Sequence, residues 1–378
     1  LTSVAPFAID TYLPAFHMLS EDLLASPEAI QQTLTFYLLP YTLMLLFHGP
    51  ISDGIGRIKT MQWGLLLFFF ASIGCALSTS IESLWFFRAL QGVGGGAGSV
   101  VARAMVRDLY EGAEAQRVMA TVQILFGIAP AIAPMIGGLL LGFHWQGIFI
   151  FLALYAAVSI YMGSKILPET MTKNMLVPIT FTGIIDRYKS LLINKEFILL
   201  ILSVSANFSA FFIYVLASPV FLIDHLGFTA QQFGYLFIPT VSGMLIGSFI
   251  SKKTAGVIKP SSVLKFGYYF MFCIALSNLL FCSFMPDNAF FNIGFIALYN
   301  IGMASVMPII SLAGLDCFPK IRGTAASGQA FTQMLFASAT AGILVPIVWF
   351  STFGLSLGLF FLISFGLFTI TKTNLWNK

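Results

Sequence analysis

Between Leu1 and Thr371 the chain returns again and again to apolar stretches of about twenty residues, separated by short polar loops. That is the length an α-helix needs to cross a hydrocarbon core about 30 Å thick. Twelve such stretches are legible, at roughly 1–19, 30–51, 60–80, 82–107, 116–142, 146–167, 197–223, 230–251, 262–285, 289–315, 323–350 and 353–371. Composition agrees: 58% of residues are hydrophobic and 9% charged, too little polar surface to clothe a water-soluble globule. Barrel strands would alternate in shorter runs. The expectation is therefore an all-α integral membrane protein with twelve transmembrane helices. The chain opens at Leu1 inside an apolar stretch and without a methionine; its native start is expected upstream, and the first stretch is not read as a signal peptide.

Every basic residue can be used to orient these spans. If the first runs outward, Arg57, Lys59, Arg107, Arg117, Lys165, Lys173, Arg187, Lys189, Lys195, Lys252, Lys253, Lys259, Lys265, Lys320, Arg322, Lys372 and Lys378 fall at or near the cytoplasmic side. The opposite loops carry Glu21, Asp22, Glu28, His144, Asp224, His225 and Asp287 but no Lys or Arg. The positive-inside rule then puts both termini in the cytoplasm. The net charge of +4 reflects that orientation, and no nucleic-acid partner is expected.

Two arginines remain within the fourth stretch. Arg103 is near enough to the cytoplasmic end to snorkel, while Arg88 lies deeper. The one acid well inside any stretch is Asp10. An Asp10–Arg88 pair across the bundle is the economical way to keep both in the membrane; separate solvation in a water-filled cavity is the alternative.

The polar segment "LPETMTKNMLVPITFTGIIDRYKSLLINKE" divides the chain into 1–167, a linker at 168–196 and 197–378, six stretches on either side. A short surface helix is expected around 184–192. "GPISDGIGRIK" after the second stretch is weakly echoed by "GSFISKKTAGVIK" after the eighth, as parallel halves of an alternating-access transporter would be. The first of these, continued to Thr60, concentrates an aspartate, an arginine, a lysine and three glycines in twelve residues. Gly54 and Gly56 permit a tight reversal there.

Enzymatic chemistry finds little support. Cys75, Cys273, Cys282 and Cys317 show no CxxC pairing or metal spacing, so neither a metal nor a cofactor is expected. The loose GxGxxG within "GVGGGAG" lies inside an apolar helix rather than after a strand, and helix packing explains it better than nucleotide binding. Polar and aromatic residues recur at helical spacing in several stretches: Tyr37 and Tyr41; Gln91, one turn from Arg88; Ser203, Asn207, Phe211 and Tyr214; and Gln329, Gln333 and Phe336. Aromatic walls with amides suit an amphipathic, drug-sized solute, although each residue singly could equally be helix-packing glue. Pro130 and Pro134 bend the fifth stretch. Its glycines, with the small-xxx-small pair Gly243 and Gly247 of the eighth, predict a close contact between those two helices.

Three motifs carry a resemblance. "GPISDGIGRIKT" resembles the loop between helices two and three of the major facilitator superfamily, with Gly49, Asp53, Gly56 and Arg57 at matching places. "FFRALQGVGGGAGS" resembles its fourth-helix motif through Arg88, Gln91 and Gly92. "GIAPAIAPMIGG" resembles the fifth-helix motif of its drug/proton antiporters through Gly127, Pro130, Pro134, Gly137 and Gly138, with an alanine where a glycine often precedes the proline. "AIDTYLPA", "VRDLY" and "RGTAAS" narrow the likeness to the Bcr/CflA drug-resistance branch. The resemblance implies the major facilitator fold of two six-helix bundles and a multi-pass location in a bacterial inner membrane. It also implies proton-driven export of drug-like small molecules by a monomer that uses the proton gradient and needs no cofactor. Export of a dedicated endogenous metabolite, such as a siderophore or amino-acid derivative, is the second reading.

By the same resemblance Asp53 would approach the positive N-terminal end of the eleventh helix near Gly323 and Thr324, and Arg57 and Lys59 would engage Asp108 and lipid phosphates. Together they would form a cytoplasmic gate that favours an outward-open state. Asp10 and Arg88 would couple protons.

Overall fold

The computed structural model describes residues 1–378 except positions 219, 229–231, 233, 286–287 and 378. Two residues used to orient the chain, Asp287 and Lys378, thus lie outside the described residues, as does the start of the eighth expected stretch. Among those described, regular structure is helical throughout, with one isolated bridge between Ala255 and Ile258.

The long helices are α3 (Pro27–Ile55), α4 (Arg57–Ala76), α8 (Gln146–Ile166), α10 (Lys195–Leu216), α11 (Gly234–Thr254), α12 (Pro260–Phe284), α13 (Ala289–Asp316), α14 (Arg322–Ala339) and α16 (Thr352–Thr371). With α14 continued through a π turn and α15 (Val345–Val348), these make nine described helices long and apolar enough to cross a membrane. The bent helix α7 (Gly112–Leu140) would raise the number to ten. The protein is thus multi-pass.

Two expected spans are built differently from single rods. The first is α1 (Val4–Asp10), a 3₁₀ turn at Leu13–Ala15 and α2 (Phe16–Asp22), broken where Pro14 removes a backbone donor. The fourth is α5 (Ile81–Gly95) followed by α6 (Ala97–Leu109), with the interruption at Gly96 in a run of glycines. The linker contains a helix, α9 (Phe181–Ile193), and the chain closes with α17 (Asn374–Asn377).

Contacts group the chain into two compact units. The first takes in Leu1–Leu109, Ile128–Lys189 and Phe318–Phe331; the second, Tyr110–Gly127, Ser190–Cys317 and Thr332–Lys378. In the first unit α3 packs on α5, and α4 on α5 and α8. Small residues allow the approach: a Cβ on Gly92 would lie 2.1 Å from the Tyr37 carbonyl oxygen, and one on Gly94 would lie 2.3 Å from that of Gly64.

In the second unit α11 packs on α13, α10 on α16, and α12 on both α13 and α16, around Tyr268, Met271, Tyr299 and Met303. The contact predicted between the fifth and eighth stretches is present, with Gln116 of α7 donating to the Ser251 carbonyl of α11 at 3.0 Å and Arg117 to that of Ala255 at 3.0 Å, but Gly243 and Gly247 serve a different neighbour. Gly243 and Gly247 are filled by α13, their missing Cβ positions each 2.2 Å from a backbone oxygen, of Ala297 and Ile301. On α7, Gly127 faces the Met244 side chain of α11, 3.4 Å from its missing Cβ, while Gly137 packs against the Thr11 carbonyl at 2.1 Å. Small-residue spacing marks a helix surface for close approach without naming its partner.

Candidate functional site

The charged loop between α3 and α4 begins with helix termination. α3 is terminated by Gly56, the residue after its last, whose φ of +106° suits a glycine far better than any other residue, and α4 starts at the next position. The reversal leaves Asp53 on the last turn of α3 and Arg57 on the first of α4, both buried. Arg57 donates from Nη1 to Asp53 Oδ1 at 2.6 Å and to Ser52 Oγ at 2.7 Å, and from Nε to Asp108 Oδ2 at 2.9 Å. Asp108 also accepts from Arg322 at 3.1 Å.

Asp53 has a second set of partners at the start of α14. Its Oδ1 accepts from the Gly323 amide at 3.0 Å, and its Oδ2 from both the amide (2.7 Å) and the hydroxyl (2.6 Å) of Thr324. A carboxylate there satisfies amides that lack an intrahelical partner and sits at the positive end of the helix. One turn earlier on α3 the Gly49 amide donates to Ser327 Oγ at 2.7 Å. The approach is so close that a Cβ on Gly49 would lie 2.0 Å from the Gly323 carbonyl oxygen. A buried aspartate, two arginines, a second aspartate and a helix N-terminus thus form one closed network, with each buried charge paired.

The linker completes this network through residues that the sequence reading missed. Glu169 accepts from the amides of Arg57 and Ile58 through separate oxygens, each at 3.0 Å, capping α4. Thr170 donates to Asp108 at 2.9 Å, and the Val177 amide to the Asp53 carbonyl at 3.0 Å. Tyr188 donates to the Leu46 carbonyl, and burial holds its phenol above the ordinary range, as a neutral donor. The only signal in the sequence was an acid just past the sixth apolar stretch, and acids are common in polar linkers.

A second cluster surrounds Arg88, which is fully buried. The expected ion pair with Asp10 is not formed among the described residues. Instead Nη1 donates to the Ala8 carbonyl at 3.1 Å and to Gln91 Oε1 at 2.6 Å. Gln91 in turn donates to Ser72 at 2.8 Å. The guanidinium carbon stands 4.8 Å from the Tyr12 ring centroid and 4.5 Å from that of Tyr37, close enough for cation–π attraction. The reason is local: α1 stops at Asp10, and carbonyls in the last turn of a helix need outside donors. Tyr41 stacks on Tyr37 at 5.8 Å.

The remaining candidates lie elsewhere. Ser203 and Asn207 of α10 hydrogen-bond Tyr268 of α12, the latter at 2.7 Å, and Ser203 also donates to the Gly366 carbonyl at 3.0 Å. Asn207 Oδ1 has no partner among the described residues. Tyr214 accepts from Asn278 at 3.0 Å. Phe211 packs edge-on to Phe208 and Phe212, and Phe336 stacks on Phe365 at 6.4 Å. Gln329 is buried and Gln333 half-buried on α14. Pro130 and Pro134 are internal to α7, and no atom of the described residues comes within 4 Å of a Cβ built on Gly138.

The family model described as Major Facilitator Superfamily matches residues 1–341. The chain belongs to the major facilitator superfamily. Relatives within that superfamily include the bicyclomycin resistance protein homolog of Haemophilus influenzae, 29% identical over 86% of this chain and 82% of its own length. Multidrug resistance protein D of Escherichia coli is 28% identical over 86% and 81%. A Bacillus subtilis protein, the uncharacterized MFS-type transporter YdgK, is 34% identical over 70% and 67%. The first two are drug-resistance proteins by name, as the Bcr/CflA resemblance implies.

Among solved structures, the human organic anion transporter MFSD10 (TETRAN) superposes with a TM-score of 0.75 at 16% identity, covering 97% of this chain and 96% of that one. A bacterial homologue of the iron transporter ferroportin gives 0.75 at 13%, covering 98% of each. At such identities the likeness shows the fold. At the level of the superfamily this chain is a membrane transporter and not an enzyme.

Proposed function

We propose that this protein is a proton-driven exporter of amphipathic, drug-sized molecules across a bacterial inner membrane. It works by alternating access, on a plan of twelve spans in two six-helix bundles with both termini cytoplasmic. The observation that carries the reading is the closed network around Asp53, which ties α3 and α4 to the start of α14 through paired buried charges. Such a contact is a latch: it is strong when complete and costly when half-broken, so its two states are discrete, as a gate requires. Drug export is supported by the names of two relatives, a bicyclomycin resistance protein homolog and multidrug resistance protein D.

Asp10 is the proposed proton carrier, since it is the one acid well inside an apolar stretch. Arg88, caged by Tyr12 and Tyr37, is a fixed positive charge that would favour release of that proton when the two approach. Tyr37, Tyr41, Gln91, Ser203, Asn207, Phe211, Tyr214, Gln329, Gln333 and Phe336 are proposed to supply the aromatic and polar surfaces that substrates meet. The test is proton flux in reconstituted vesicles, wild type against Asp10→Asn, with ethidium and an uncharged antibiotic offered separately. Substrate-dependent flux that vanishes in the variant supports the reading. Uphill transport that survives without Asp10 would remove it as the coupling site, and no flux with either compound would turn the search towards a dedicated metabolite.

A further inference from the structure

α9 turns two of its polar side chains inward and four of its large apolar ones outward, beside exposed Thr182, Asp186, Lys189 and Ser190. Arg187 and Tyr188 face the protein. Arg187, 7% exposed, donates from Nη1 to the Pro50 carbonyl at 3.4 Å and from Nη2 to those of Val177 and Pro178 at 3.2 and 2.6 Å. Tyr188 donates to the Leu46 carbonyl. Outward stand Phe181, Ile185, Leu192 and Ile193, exposed by 78, 48, 70 and 72%. A helix lying in water would keep those four apolar side chains on its buried face.

Depth comes from the anchor points. Leu46 lies about two and a half turns before Ile55, the last residue of α3. The linker helix therefore runs beside the final turns of a span rather than beyond its end. A helix the length of α3 is about 44 Å long against a hydrocarbon core of about 30 Å, so a centred α3 puts Pro50 close to the boundary between acyl chains and headgroups. The exposed charges near this helix favour the same level. Lys189 and Lys195 are exposed beside one exposed acid, Asp186, whereas Glu169 is engaged by the α4 amides.

We propose that α9 is seated in the bilayer. Phe181, Ile185, Leu192 and Ile193 enter the headgroup–acyl boundary of the leaflet at that end of the spans, with Lys189 and Lys195 at the level of the lipid phosphates. Through Arg187 and Tyr188 the seated helix holds the last turns of α3, next to Asp53, so lipid contact bears on the latch. The assignment depends on α3 being a membrane span and is independent of what is transported.

The test uses the full chain in phosphatidylcholine–phosphatidylglycerol vesicles. Nitroxide labels are placed at Ile185→Cys, Leu192→Cys and, as a loop control, Asn174→Cys, with the four native cysteines changed to serine. Labels at 185 and 192 should collide more often with dissolved oxygen than with a water-soluble nickel chelate, and the label at 174 the reverse. Equal nickel access at all three overturns the proposal, as does protection of 185 and 192 from both reagents, which would mean that protein covers this face. If the cysteine-free chain does not fold, the wild type is photolabelled with a diazirine lipid. Adducts on the peptide carrying Phe181–Ile193 support the proposal; labelling of span peptides without that one overturns it.

Discussion

Asp53 and Thr324 are joined twice by one carboxylate oxygen, which accepts the backbone amide at 2.7 Å and the hydroxyl at 2.6 Å across 271 positions of sequence. The other oxygen is shared by Arg57 and Gly323. A single side chain therefore neutralises a buried arginine and caps a helix.

Asp53→Asn keeps the size of that side chain and removes its charge. Arg57 is left with Asp108, and one of the former acceptor sites becomes a donor facing an amide. Breaking one partner of a buried pair costs about 3–5 kcal/mol. Substrate export from vesicles should fall by tenfold or more, about the effect of 1.4 kcal/mol on an equilibrium, and cysteines on the cytoplasmic side of the latch should label faster. Unchanged export with unchanged labelling would show that the network is not a gate.

Gly49→Ala tests the same closure by volume alone. The new methyl group would meet backbone, the Gly323 carbonyl at 2.0 Å, so α3 and α14 must part. The protein should still insert in the membrane, since no charge changes, yet lose the closed state. Matching accessibility of wild type and variant to a water-soluble thiol reagent would contradict this.

Glu169→Ala removes the cap on α4. Negative charge at a helix N-terminus is worth about 0.3–1 kcal/mol, and the bonds from the Arg57, Ile58 and Met171 amides go with it. A fall of a few degrees in Tm in detergent is expected. Glu169→Gln, which retains an acceptor for one amide, should fall between the two.

Arg88→Lys keeps the positive charge but loses the planar group that lies over Tyr12 and Tyr37 and reaches both Ala8 and Gln91. Lysine offers a point charge in place of that fork. Export should drop at least tenfold with little change in expression, measured by accumulation of ethidium in cells and by the yield of purified protein. Full activity in the lysine variant would mean that charge alone matters at this position.

What the sequence determined by itself was the solvent, the helical class and the concentration of charge after the second apolar stretch. Each of these is a local property: the length of an apolar run, a loop rich in glycine, a charge that must reach water. Gly56 was legible for the same reason, because a positive φ is a demand made by one residue on its own backbone. Only the tertiary structure decided who meets whom. Gly243 and Gly247 advertise closeness, yet the sequence could not say that α13 would fill the space. Asp10 and Arg88 looked complementary, but a helix that stops at Asp10 offers a carbonyl, and two tyrosines offer their ring faces. Glu169 and Tyr188 read as ordinary linker residues until folding carried them to the latch. Partner choice is set by which backbone amides and carbonyls are left unpaired after the helices pack, and that is a property of the assembled chain.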